Sequence, residues 1–224
     1  MLLLIPGVLK ADELALARSW LAGARFVDGR LSAGSAARRV KNNQELETGA
    51  ADLEQLNRVV MGGLNRHPAY RAGALPLHAA SPLYARYQPG MNYGDHLDDP
   101  IMGADGVKYR SDVAVTVFLN APEEYDGGEL VVRTPSGDQV VKSAAGDAVL
   151  YPAGRIHHVN AVTRGERLVA VTWVQSLVRD AARRELLYGL NAAREILLHS
   201  APEAAATAQV NAAYLNLIRM WADL

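Results

Sequence analysis

Between Lys10 and about Ala22 apolar residues recur at helical spacing, with Leu14, Ala17 and Leu21 on one stripe and Leu16 and Trp20 beside it. Asp12 and Glu13 fall in the first turn of that helix, where acidic groups suit its dipole. A second helical pattern runs from about Ala51 to Asn65 on Leu53, Leu56, Val60 and Leu64, and Pro68 marks its end. Ahead of both, Met1 to Ile5 is a short apolar run closed by Pro6-Gly7 and reads as an edge strand. Val27-Asp28-Gly29-Arg30 is a turn signal between short strands.

After Ala74 the periodicity changes from helix to strand. Leu83 to Tyr87 is strand-like and stops at Pro89-Gly90. Asp112 to Leu119 is rich in β-branched residues and strongly strand-like. Turn signals at Asp126-Gly127-Gly128, Ser136-Gly137-Asp138 and Gly146-Asp147 separate three more short strands, and a last one runs from Arg167 to Gln175. Many short strands joined by Gly, Pro and Asp turns predict a mainly β fold with flanking helices, a sandwich or jelly roll.

From about Ser176 the pattern is helical to the end, and Pro202 divides it into helices of about 177–199 and 203–222. The chain is thus read as a β domain with N-terminal helices over 1–176 and a C-terminal helical extension over 177–224. The extension has two readings: an appendage packed on the barrel, or an element that joins copies of the chain into a homo-oligomer.

Composition narrows the function classes. A formal charge of -1 argues against a basic protein that coats nucleic acid. No segment has the length of a membrane span, and the N-terminal apolar run is too short for a signal-peptide core, so a cytoplasmic protein is expected. The chain has no cysteine, so any transition-metal site must draw on His, Asp or Glu.

The candidate chemistry lies in two segments. His96-Leu97-Asp98 places an imidazole and a carboxylate two residues apart, on one face of an extended strand, just after the Pro/Gly-rich approach Gln88 to Asp95. About sixty residues on, a strand and a turn lead into His157-His158. Neighbours on a strand face opposite ways, so only one of that pair can point inward, and the local pattern leaves open which. Two histidines and one carboxylate are the facial triad of non-haem Fe(II), which leaves positions open for oxygen and a co-substrate. Arg167 opens the last strand on the face shared by Val169, Val171 and Trp173. A guanidinium among apolar residues calls for an anionic partner, and it matches a carboxylate bidentately. Arg164, in Thr163-Arg164-Gly165, suits a turn and an ordinary salt bridge. Trp173 reads as core, and Met91, Asn92 and Tyr93 either line a substrate entrance or form a plain turn.

These motifs occur in an order that resembles the prolyl 4-hydroxylase-type oxygenases: Tyr87, His96-x-Asp98, Phe118-Leu119-Asn120, Gly127-Gly128-Glu129-Leu130, Tyr151-Pro152, Ile156-His157-x-Val159 and Val162 to Arg167. The whole chain is similar to the bacterial PKHD-type hydroxylases, including Ile5-Pro6-Gly7-Val8-Leu9, Asn65-Arg66-His67-Pro68 and the helical tail. That resemblance implies a double-stranded β-helix (jelly-roll) core. It implies that His96, Asp98 and His157 bind Fe(II), that Arg167 holds the distal carboxylate of 2-oxoglutarate, and that Tyr87 hydrogen-bonds the same co-substrate. It further implies ascorbate as reductant, O2 as co-reactant, and a peptidyl or small-molecule substrate hydroxylated with release of succinate and CO2. Where some relatives carry a further tyrosine, this chain has Phe118, which donates no hydrogen bond. The competing reading is a cupin-like hydrolase or isomerase holding a divalent metal without 2-oxoglutarate, for which Arg167 has no use; a non-catalytic binding module would need neither.

Overall fold

The computed structural model describes residues 1–50, 52–104 and 106–224. Among these, two antiparallel sheets face one another. The larger runs in the order Leu3–Ile5, Ala148–Pro152, Val113–Phe118, Arg167–Ser176, Leu83–Tyr87, Gln44–Leu46, Phe26–Asp28. Pro76–Ala79 pairs with the far half of Arg167–Ser176. The smaller sheet runs Gly137–Val141, Leu130–Thr134, His157–Val159, Asn92–His96, Lys41–Asn42. The mainly β jelly roll with flanking helices expected from the sequence is what the chain forms.

The larger sheet is buried on both faces, which explains the unbroken apolar run in its middle strand. Val113, Val115 and Val117 turn outward, under the helices, while Ala114 and Phe118 turn toward the smaller sheet. Arg167–Ser176 divides the same way: Leu168, Ala170 and Val174 lie under the helices, and Val169, Val171 and Trp173 face the interior. The helical layer consists of α1 (Ala11–Ala22), α2 (Leu53–Arg66) and α3 (Pro68–Ala74). Ala17 and Leu21 from α1 and Leu56, Val60 and Leu64 from α2 enter that core, as their spacing predicts. Gly63 lets α2 approach the N-terminal segment, since a Cβ there would fall 2.6 Å from the Val8 carbonyl oxygen. Glu13 accepts from the Lys10 amide at 2.9 Å and from Arg66 at 2.6 Å, tying the start of α1 to the end of α2.

Several boundaries differ from the sequence reading. The first residue of the expected second helix, Ala51, lies outside the described residues, and α2 starts at Leu53. Pro68 begins a further helix, for its fixed φ suits the N1 position, and His67 caps it by accepting from the Ala69 amide at 3.2 Å. Asp126-Gly127 and Thr163 to Gly165 are not turns: Tyr125–Gly127 and Val162–Gly165 pair with each other. Arg164 there forms the expected exposed ion pair, reaching Asp126 at 2.6 and 3.0 Å.

The tail forms α4 (Ala181–Ser200) and α5 (Ala205–Trp221). Helix starts at Ala181 and not near 177, because the Leu177 amide donates to the Leu75 carbonyl at 2.7 Å, that of Val178 donates to Ser176 Oγ at 3.2 Å, and Asp180 caps the helix by accepting from the Arg183 amide at 2.8 Å. Leu187 and Tyr214 pack with Leu75 and Val178. Arg184, buried, donates to the carbonyls of Val178 and Arg179 at 2.7 Å each and to that of Asp112 at 3.2 Å. The tail is therefore joined to the barrel by a small apolar core and by Arg184, which spans from the Val178 and Arg179 carbonyls to that of Asp112. Leu187 is 1 % exposed and its neighbour Leu186 is 64 % exposed. Leu187→Ala is expected to lower the unfolding free energy by about 2–4 kcal/mol in urea titrations, and Leu186→Ala to stay within about 0.5 kcal/mol of the parent; equal effects would show that the tail is not docked as described.

Candidate metal centre

His96 closes the strand Asn92–His96, and His157 opens the strand His157–Val159, and the two stand opposite each other in antiparallel register. The next paired residues are Val159 and Tyr93. Two steps on one strand thus match three on the other, which is a β-bulge. It breaks the alternation of the ligand strand, so Tyr93 and His96 both face the interior. Their rings stack with centroids 3.6 Å apart and planes 9° from parallel. Asp95 is left on the outer face, where it accepts from His158 at 2.9 Å and pairs with Arg133. Of the two readings for Met91, Asn92 and Tyr93, the plain turn does not hold from Asn92 on, which is strand with the bulge at its end, and Tyr93 lines the interior cavity.

This geometry separates the histidine pair. His157 is buried and faces His96 at 4.2 Å between ring centroids, whereas His158 lies on the opposite side of the sheet. Asp98, two residues past the strand's last ligand, turns back beneath them. One Nδ1/Nε2 or carboxylate atom from each of His96, Asp98 and His157 lies within 4.8 Å of the others.

The protonation pattern follows from what each ring touches. His96 Nδ1 lies 2.8 Å from the Gly94 carbonyl, and His157 Nδ1 lies 2.9 Å from the Arg155 carbonyl. A carbonyl only accepts, so both Nδ1 atoms carry the proton and both Nε2 atoms present lone pairs inward. Burial, reinforced by the neighbouring His157 ring, pulls His96 down to about 3, keeping the imidazole neutral. Burial pushes the Asp98 carboxyl up, partly offset by His157. Asp98 Oδ1 is 3.8 Å from His157 Nε2, too far for a hydrogen bond, and Asp98 Oδ2 is buried without a partner. Three donors that converge without satisfying one another fit a divalent metal ion, which His96, Asp98 and His157 would hold.

Arg167 opens its strand opposite Tyr87. It is 2 % exposed, its Nε has no partner, and no carboxylate among the described residues pairs with it. Aromatic faces surround it instead: its guanidinium carbon is 5.0 Å from the Tyr87 centroid and 6.0 Å from that of Phe118. Gly128, at φ +67, is required alongside, for a Cβ there would sit 3.0 Å from Arg167 Cδ. His96, Asp98, His157, Tyr87 and Arg167 all line one cavity of about 400 Å³ between the sheets.

The same cavity holds residues that the sequence reading passed over. Trp173 packs against the interior core, as expected, and also lines the cavity, with its indole N–H buried without a partner. Lys41, Asn43 and Glu45 also line it. The signal for those three was a polar run, Lys41 to Glu45, whose alternate members are buried.

Comparison with known proteins agrees with this layout. Residues 82–175 match the 2OG-Fe(II) oxygenase superfamily, and residues 180–223 match the PKHD-type hydroxylase C-terminal domain. A PKHD-type hydroxylase of Thioalkalivibrio sulfidiphilus is 50% identical over 224 residues, and one of Hyphomonas neptunium is 46% identical over 228, each covering 100% of both chains. The fold is shared with a prolyl hydroxylase of Trichoplax adhaerens solved with a hypoxia inducible factor peptide, at 17% identity, 83% of this chain, 86% of that chain and TM-score 0.57. It is also shared with HygX of Streptomyces hygroscopicus bound to nickel, 2-oxoglutarate and hygromycin B, at 17% identity, 79% of this chain, 84% of that chain and TM-score 0.51. With identity of this extent along its whole length, the chain belongs to the PKHD-type hydroxylases, oxidoreductases of the Fe(II)- and 2-oxoglutarate-dependent kind.

Proposed function

We propose that this enzyme hydroxylates a C–H bond of a peptidyl or small-molecule substrate, consuming one O2 and one 2-oxoglutarate and releasing succinate and CO2. The balance is closed: one oxygen atom enters the C–H bond as hydroxyl, and the other enters the carboxylate of succinate. The observation that carries the reading is Arg167. A buried guanidinium without an anionic partner costs several kcal/mol, roughly the penalty of an unpaired buried charge, and a cavity opens in front of it. The distal carboxylate of 2-oxoglutarate is a planar anion that the guanidinium fork would grip bidentately. A hydrolase or isomerase would gain nothing from that group.

His96, Asp98 and His157 would hold the iron, which when bound supplies the redox chemistry of oxygen activation. The protein's part is to keep both Nε2 atoms unprotonated through the Gly94 and Arg155 carbonyls and to exclude bulk water from the interior. Tyr87, beside Arg167, is the second co-substrate contact in this reading; its hydroxyl stays protonated because burial pushes it up, and it therefore donates. Phe118 adds only an apolar face to the same subsite. L-Ascorbate, which the family resemblance implies, is taken as the reductant that keeps the iron ferrous between turnovers.

Anaerobic addition of Fe(II) and 2-oxoglutarate is expected to give a visible charge-transfer band. His157→Ala should abolish it, and His158→Ala, on the outer face, should leave it; the reverse pattern would overturn the ligand set. Arg167→Ala should raise the 2-oxoglutarate concentration at half-saturation about 30- to 150-fold, the loss of about 2–3 kcal/mol from a charge-assisted contact, while Fe(II) binding by calorimetry is retained. An unchanged half-saturation would remove the role given to Arg167.

A further inference from the structure

The chain switches sheets between residues 41 and 46. Lys41–Asn42 pairs with the ligand strand of the smaller sheet, and Gln44–Leu46 pairs with Leu83–Tyr87 of the larger one. This crossing closes one side of the jelly roll, and its buried positions are Lys41, Asn43 and Glu45. The other strands that wall this space turn chiefly apolar side chains inward; this one turns a polar row.

Lys41 is 8 % exposed and Glu45 5 %. Lys41 Nζ donates to Glu45 Oε1 and, at 3.0 Å, to Ser32 Oγ. An ammonium has three donors, so one remains. Ser32 Oγ has none to return, because it donates to the Gly29 carbonyl at 3.2 Å. Glu45 uses Oε1 for the Lys41 bond, and its Oε2 takes part in no hydrogen bond among the described residues. The buried pair therefore keeps one ammonium hydrogen and one carboxylate oxygen outside its own hydrogen bonds, on two residues that both line the cavity.

The location sets this pair apart from the co-substrate subsite. Lys41 Nζ lies 5.3 Å from the centroid of Tyr93, whose other neighbour is the His96 ring. Ser32 is exposed, whereas Arg167, lining the same cavity, is buried beside Tyr87 and Phe118. Lys41 and Glu45 thus line the same cavity as the metal ligands, with Lys41 bonded to the exposed Ser32.

We infer that Lys41 and Glu45 are specificity-determining residues that select a primary substrate bearing an amide next to the carbon to be oxidised. This inference rests on the hydroxylase reading above. An amide is neutral and presents a carbonyl acceptor and an N–H donor together, which complements the free Nζ–H and the free Oε2. A carboxylate would meet the open Glu45 oxygen, and an amine would meet the ammonium, each at an uncompensated charge in a buried site. An ester lacks the donor and leaves Glu45 Oε2 desolvated and unpaired, the kind of loss that gives strong discrimination. The amide can belong to a peptide or to a small molecule; both present the same chemistry.

The test uses the Fe(II)-loaded enzyme with 2-oxoglutarate and a panel of compounds matched in their carbon frame as amide, ester, carboxylate, amine and alcohol, with capped peptides as a separate arm. Succinate release above the substrate-free level identifies the compounds that engage the site. The stimulating compounds are expected to be amides, with matched esters at least tenfold weaker. Peptide-only stimulation places the amide in a polypeptide, and stimulation by the simple amides places it in a small molecule; either supports the inference. Lys41→Met and the charge-neutral double variant Lys41→Met/Glu45→Gln should raise the KM for a stimulating amide at least tenfold. Both should keep the anaerobic charge-transfer band, which reports folding and co-substrate binding independently of the substrate. Stimulation confined to acids, amines, alcohols or esters, or an amide KM unchanged in a variant that keeps the band, overturns the inference. Absence of the band and of succinate in the parent enzyme would instead overturn the hydroxylase reading itself.

Discussion

The antiparallel register that sets His96 opposite His157 is the constraint on which the site depends. It joins two segments separated by about sixty residues of chain, and it does so through main-chain pairing, independent of any ligand. A slip of one residue would turn His158 inward and His157 outward, because strand side chains alternate. The bulge beside this pair then brings Tyr93 to the same face as His96, and Asp95 to the other. The triad is thus a product of sheet geometry, and the metal ligands lie at the place where two strands are already committed to each other.

A jelly roll interior that carries Arg167, Asp98, Lys41 and Glu45 is a costly core, since each is a polar or charged group withdrawn from water. The larger sheet accommodates this by dividing labour between its faces. Its outer side packs Val113, Val115, Val117, Leu168 and Ala170 against three helices in a conventional apolar layer. Its inner side is free to hold chemistry. Stability and function therefore occupy alternate residues of the same strands, and a substitution at Ala170 or at Val169 tests a different property of the protein.

Much of this was readable from residue order. The edge strand at Leu3–Ile5, the faces of α1 and α2, the strand Leu83–Tyr87 and the inward row from Arg167 to Trp173 follow from periodicity alone. What periodicity could not supply was anything decided by pairing. The choice between His157 and His158 needed either the family pattern or the facing strand. The short strands at Tyr125–Gly127 and Val162–Gly165 looked like turns because each is short and ends on a glycine, yet each finds a partner in the other. Trp173 reads as core because its neighbours are apolar, and it packs there, but it also lines the cavity. Lys41, Asn43 and Glu45 escaped notice for the opposite reason: a run of polar residues reads as surface until a crossing strand turns every second one inward.

The orientation of both histidine rings is set by carbonyl oxygens of Gly94 and Arg155, two residues before each ligand. Many metal sites give that task to a carboxylate side chain, which a single nucleotide change can erase. Here the accepting atom belongs to the main chain, which every amino acid possesses. Sequence drift at Arg155 can change charge and size at the surface without altering which imidazole nitrogen faces the ion. The proton inventory of the centre is in this sense insulated from mutation at Arg155, whereas at Gly94, where a Cβ would lie 2.9 Å from Val40 Cβ, a side chain would disturb the backbone path itself.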